Sequence, residues 1–242
     1  MGLAIGATAI LWSCSAMAKT QVAKGYEMPA DQPMKIITLR PDVTVGSLAA
    51  GGLEEPNADW TAAARGHLAE AIAKNQAAQG FSGVTLPDLT GEDAKVVNDY
   101  QKLSRAVSAA IFLHKYLPGY GLPTKKGRFD WTLGPGASKL GELGGGNYAL
   151  FLYTHDSFGS SGRKALQVAG LLGCGVGFCV IVPGGIHFYY ASLVDLKSGD
   201  VVWFNFVKSS QGDIRKAEGA QQLVDSLLST LPIHHLGAGS KK

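Results

Sequence analysis

The chain reads as a three-layer α/β domain with a mixed sheet, and three observations predict it. β-rich runs alternate with helix-period segments through most of the sequence, which requires crossovers and therefore parallel strand pairing. Near the end two β-rich runs, 188–196 and 201–206, are joined only by Lys197, Ser198, Gly199 and Asp200, which requires a β-hairpin. The length of 242 residues, 46% hydrophobic and 17% charged, suits one domain burying about 70% of its unfolded surface.

Each element follows from local pattern. Residues 35–40 (KIITLR) form a short β-rich run ended by Pro41, the expected first strand. A loop holding Gly51, Gly52 and Pro56 follows, with Asn57 and Asp59 as candidate helix caps. Trp60, Ala64, Leu68 and Ile72 recur every fourth residue, so 59–78 is an amphipathic helix, and 81–86 is a second, weaker strand. Between Gly91 and Pro118, apolar residues step by three or four from Val96 to Ile111 and place a long helix over 92–117. His114 lies on its apolar stripe as a hydrogen-bonded core residue rather than a ligand. A short helix over 137–143 leads through three glycines into a strand at 148–153, and a helix over 217–231, ended by Pro232, closes the chain. Along 201–206, alternation sets Val201 and Trp203 on one face and Val202, Phe204 and Phe206 on the other, so both faces are covered. The expected order is β-α-β-α-(α)-β-α-β-β-α, with residues 34–231 as the single domain and 232–242, including His234 and His235, as a tail.

The N-terminus carries an address. Residues 1–12 are uncharged and mostly apolar, too short for a spanning helix of about 20 residues, and the first charge is Lys19. Residues 1–18 therefore read as an export signal. Two processing routes are open: Leu11, Trp12, Ser13 and Cys14 resemble a bacterial lipobox, with Cys14 as the lipidated residue, while Ala16, Met17 and Ala18 form an ordinary signal-peptidase site. The position of the cysteine directly after the apolar run favours lipidation. Residues 19–33, polar and proline-containing, read as a tether.

No charged side chain occurs between Lys164 and Asp195, and 165–186 is apolar and glycine-rich. Pro183, Gly184 and Gly185 interrupt it, so it is not a spanning helix. A buried, close-packed segment is the first expectation, and a contact segment built around Gly173, Gly175, Gly177 and Phe178 is the second. Cys174 and Cys179 could pair, but a separation of five along an apolar run favours two buried free thiols.

Catalytic motifs are weak. Residues 154–164 follow a strand and precede a helix, and His155, Asp156, Ser160, Ser161 and Arg163 could hold an anion or ligand there, with Ser160 or Ser161 capping the helix. The stretch is neither a phosphate-binding loop nor a nucleophile elbow. Glu54 and Glu55 could pair with an acid/base partner, but two adjacent loop carboxylates read first as solvent-facing. No metal site, cofactor site or catalytic residue is expected. Apart from Lys125, Lys126 and Arg128, the basic residues behind the net charge of +3 are scattered, which argues against nucleic acid as a partner.

The run 191–203 (ASLVDLKSGDVVW) is similar to the hairpin of curli-secretion-type (CsgG-like) envelope lipoproteins and related TolB-N-terminal-like domains, and the strands at Ile36 and Tyr148 fall in the order that family uses. The resemblance would cover about 34–231. It implies a bacterial outer-membrane lipoprotein facing the periplasm, otherwise a soluble periplasmic protein, acting without catalysis as an assembly or scaffold component. Its partners would be other envelope proteins or further copies of itself. The long amphipathic strand pairs that build the curli pore have no counterpart, so a channel is not implied. The alternative function is a periplasmic hydrolase or small-ligand-binding protein using the turn from His155 to Lys164.

Overall fold

The computed structural model describes residues 19–24, 26, 34–80, 83–175, 177, 179–208 and 212–233. The export signal with Cys14, most of the expected tether, Phe178 and the His234-His235 pair lie outside the described residues. The described chain is a three-layer α/β domain around one mixed sheet, as the patterning predicts.

The chain's strands, in order, are β1 (Lys19–Val22), β2 (Ile36–Thr38), β3 (Asp42–Leu48), β4 (Glu54–Pro56), β5 (Val84–Thr85), β6 (Tyr148–Gly159), β7 (Gly185–Asp195) and β8 (Val201–Val207). The sheet is organised on β6. Along one edge it pairs antiparallel with β7 from Tyr148↔Asp195 to Phe158↔Gly185, and β8 and then β1 follow, both antiparallel. Along the other edge β6 takes two parallel partners in succession: β2 beside Tyr148, Ala149 and Leu150, then β3 beside its second half. β5 extends the sheet from β2, and β4 pairs with β3.

Pro41 does not end the first strand's alignment, as expected from sequence, but interrupts it. Thr38 lies opposite Leu150 and Asp42 opposite Tyr153, so four steps of one strand oppose three of the other. This is a bulge, the place in a sheet where a residue lacking an N–H is tolerated. The expected loop at 42–56 is therefore largely strand; the alternation of Val43 and Val45, both buried, with Asp42 and Thr44 is its signal.

The expected tether is also corrected at its start. Lys19–Val22 is an edge strand on β8, with Thr20 hydrogen-bonded to Asn205 at 3.3 Å. An edge strand needs backbone partners rather than an apolar face, so its polar sequence hid it.

Helices α1 (Ala58–Ala78) and α5 (Ala217–Leu228) cover one face of the sheet. Asn57 caps α1 by accepting from the Trp60 N–H at 2.9 Å, and Ala64, Leu68 and Ile72 pack with Leu223, Val224 and Leu227 over Leu193, Tyr189 and Trp203. Helices α2 (Gly91–Tyr116) and α3 (Ser138–Gly144) cover the other face, where Ile111 and Leu140 lie over Ile37, Phe151, Tyr190 and Phe204. The last helix stops three residues earlier than expected, yet Leu231 and Ile233 still pack on the core, so the packed domain reaches past 231. His114 is hydrogen-bonded as expected, with Nδ1 2.6 Å from the Tyr120 carbonyl and its ring stacked on Trp131, but it is half-buried at the end of α2 rather than in the core. Lys125, in the basic trio, pairs with Asp130 at 2.8 Å.

The hairpin forms where the sequence places it, with Gly199 at φ +79°. Its facing differs in detail. Leu193 pairs with Trp203 but Val194 pairs with Val201, so Val202 is bulged. Val202 joins Trp203 under α1 and α5, and Val201 joins Phe204 and Phe206 under α2, the reverse of simple alternation. Every residue of β8 is buried, as two covered faces require.

Candidate functional site

The most unusual part of the molecule is the end of the sheet where β6 finishes and β7 begins. There β6 and β7 run on past β8 on one side: β8 ends at Val207, level with Tyr189 and Thr154, while β6 continues to Gly159. Five residues at about 3.3 Å each carry it roughly 17 Å further.

From that end rises α4 (Ser161–Cys174). Ser160 is its N-cap, accepting from the Arg163 N–H at 3.3 Å, as the sequence allows. Arg163 is buried and serves as a lock rather than an anion ligand: its Nε donates to the Pro183 carbonyl at 2.7 Å and its guanidinium to the Ala49 carbonyl at 3.3 Å. The chain then returns along the helix. Gln167 donates to the Val182 carbonyl at 3.0 Å, and Gly170 leaves room for the Val180 carbonyl, which a side chain there would strike. Cys174 and Cys179 form a disulfide at the tip, which corrects the expectation of free thiols.

This arm also overturns the expectation that 165–186 is buried. Leu171 is 73% exposed, Leu172 72% and Ile181 89%, with Leu166, Val168 and Val180 exposed as well. The physical reason is visible in the packing: the small residues are used to bring helix and return segment together, so the large apolar side chains face outward. Gly173, Gly175 and Gly177 sit at the tip, Gly177 with φ +89°. Exposed apolar surface of this kind, carrying no charge, is uncommon on a monomer and makes the arm a candidate contact surface.

The expected ligand turn at 154–164 is dismantled by the length of β6. Because residues 154–159 are strand, His155 and Asp156 point to opposite faces. His155 Nε2 lies 2.9 Å from Glu54 Oε1, so Glu54 is partnered and not the free loop carboxylate expected. Asp156 is fully buried and its Oδ1 is hydrogen-bonded to His187 Nδ1 across the β6–β7 pair, while its Oδ2 and the Thr154 hydroxyl have no partner among the described residues. Ser161 is the exposed first residue of α4. Ser157 Oγ accepts from the Ile186 N–H at 2.9 Å, fastening the return of the arm to the sheet.

The projecting strand is held from below. Phe158 packs edge-on against Trp60, with centroids 6.2 Å apart, and the Arg215 guanidinium lies 3.7 Å over the Phe158 ring and 4.4 Å over Trp60. Asp213 accepts two hydrogen bonds from that guanidinium at 2.8 Å each, which holds its carboxyl below the ordinary carboxylate range.

Sequence reasoning named Glu54 without finding its partner and missed His187, because each becomes meaningful only through a residue on another strand. Among the described residues no helix is long and apolar enough to cross a membrane, and no group of three or more His, Cys, Asp or Glu is placed to hold a metal ion.

No protein-family model and no curated protein sequence matches the chain. Among solved structures it is similar to the PelC dodecamer from Paraburkholderia phytofirmans, at 12% identity and a TM-score of 0.38 over 88% of this chain and 96% of that one. A leucine-to-methionine variant of that PelC dodecamer gives 12% identity and a TM-score of 0.37 over 88% of this chain and 95% of that one.

Proposed function

We propose that the chain is an exported, lipid-anchored envelope protein that acts without catalysis, as an assembly or scaffold component, and that the α4 arm is its contact surface. The observation that carries this reading is the exposure of a charge-free arm at one end of a well-packed domain.

Chain geometry supports the anchor. β1 is built into the sheet at Lys19, and only four residues lie between Lys19 and Cys14 in the sequence. The five Cα steps from Cys14 to Lys19 span at most about 17 Å, close to the roughly 20 Å along the sheet from the level of Lys19 to Gly159. β1 enters the sheet from the arm's end, since it runs antiparallel to β8. A lipid on Cys14 would thus hold the arm's base at the membrane surface. The Cys174–Cys179 disulfide suits an oxidising compartment such as the periplasm. The likeness of the 191–203 hairpin to envelope lipoproteins points the same way.

Cell fractionation tests the anchor. Cys14→Ala should move the protein from the membrane to the soluble fraction, because affinity comes from acyl chains at about 0.8 kcal/mol per buried CH₂. A mature mass beginning at Lys19 with no lipid would overturn the lipoprotein reading. The contact role is tested by cross-linking in whole cells: Leu171→Asp with Leu172→Asp should abolish the cross-linked species without lowering the unfolding temperature, and an unchanged pattern would refute the arm as the contact surface.

A further inference from the structure

Away from the arm, the bulge at Pro41 opens a cleft of about 280 Å³ between the sheet edge, α1 and α2. Its wall is formed by one face of α2, where Asn98, Gln101, Lys102 and Arg105 follow at the i, i+3, i+4, i+7 spacing that puts them side by side. Arg65 enters from α1 and Arg40 from the bulge itself. Four cationic side chains therefore line one small cleft, and its wall contains a single carboxylate, Asp42, which lies 3.4 Å from the Arg105 guanidinium. Arg40 has a second carboxylate neighbour, Asp88, at 3.6 Å and largely exposed. Gathering like charges costs free energy that a bound anion would offset. Arg65 reports the cost: burial and then the nearby charge of Arg40 hold its guanidinium below its ordinary range against the opposing pull of Asp42, and its NH2 group donates to the Val43 carbonyl at 3.3 Å.

We propose that this cleft binds a small molecule bearing a phosphate or carboxylate group, with Arg65 and Arg105 as its principal donors and Lys102 and Arg40 supplying charge. Guanidinium forks match the paired oxygens of both groups, and the amides of Asn98 and Gln101 are positioned for a polar body attached to the anion. Gln101 is oriented by its own hydrogen bond to the Arg40 carbonyl at 2.8 Å. Asp42 is level with Tyr153, so the cleft lies roughly 20 Å along the sheet from the foot of the arm. That separation favours a free anion over the headgroup of a membrane met by the arm.

The test is titration of the full chain with inorganic pyrophosphate, read by thermal unfolding and by amide chemical shifts, against sodium chloride at matched ionic strength. Saturable stabilisation with an apparent Kd below 1 mM is expected, weakened at least tenfold by Arg65→Gln and by Arg105→Gln, and unchanged by Lys197→Gln at the opposite end of the sheet. Unfolding of the unliganded variants verifies that each is folded. Stabilisation matched by chloride, or retained in both arginine variants, overturns the site. Binding to phosphatidylglycerol vesicles that both substitutions abolish, with no response to pyrophosphate, would assign the cluster to lipid headgroups and overturn the free-anion assignment.

Discussion

Asp156 is fully buried on β6, and among the described residues the hydrogen-bond partner of its carboxylate is the His187 ring across the strand pair. Removing one member of such a pair strands the other, so His187→Ala should cost about 3 to 5 kcal/mol in urea unfolding. Replacing both members with apolar groups, as Asp156→Leu with His187→Phe, should cost less than His187→Ala alone. A double variant less stable than the single one would refute the pairing. Asp213 gives a pH-dependent counterpart. Its folded-state pKa is depressed by the Arg215 hydrogen bonds, so the stability it contributes is present above the unfolded-state value of about 3.9 and is lost as pH falls through the depressed value. The deficit of Arg215→Gln relative to the parent, large at neutral pH, should shrink below pH 4. What persists in acid then measures the stacking of Arg215 on Phe158 and Trp60.

At the level of elements, legibility in the sequence followed the amount of local signal. The helices from Ala58 and Gly91 announced themselves through apolar residues every three or four positions, and the Gly199 hairpin through its turn. Lys19–Val22 and Glu54–Pro56 did not, because short edge strands are stabilised by a neighbour distant in sequence and carry no apolar alternation of their own. The continuation of β6 through His155 and Asp156 was hidden for a similar reason: these two residues find their partners, Glu54 and His187, on other strands, and read alone they resemble a turn. Two glycines separate the arm's inner and outer surfaces experimentally. Gly175→Leu should change stability by less than about 0.5 kcal/mol, since the position is exposed and a Cβ there would meet only the Leu172 carbonyl at 3.4 Å. Gly170→Leu should instead push the return segment off the helix at the Val180 carbonyl, seen as faster proteolysis within 175–184 while the sheet keeps its unfolding midpoint. Equal protease resistance of the two variants would refute the packing of the arm.

For the molecule as a whole, the two sites divide the surface: an apolar arm at one end of the sheet and a cationic cleft partway along its edge. Their substitutions should act independently, because sites this far apart with no shared partner are additive within about 0.5 kcal/mol. A chain combining Leu171→Asp, Leu172→Asp and Arg65→Gln should lose cross-linking and pyrophosphate binding to the same extent as the separate variants; coupling between the two readouts would mean that they share one surface.

The pairing of β1 with β8 joins the first strand to the last, Lys19 beside Phe206. Loop closure on that scale makes the contact a late event in folding, since the partner strand must be synthesised and paired with β7 before β1 has anywhere to dock. On the export proposed above, the N-terminal segment would stay free for processing enzymes while the rest of the chain is still emerging, and β1 would be drawn into the sheet only at the end. Chains truncated before Val201 should accordingly leave residues 19–22 open to a protease that the complete protein resists, and equal protection in the two forms would show that β1 finds its place without β8.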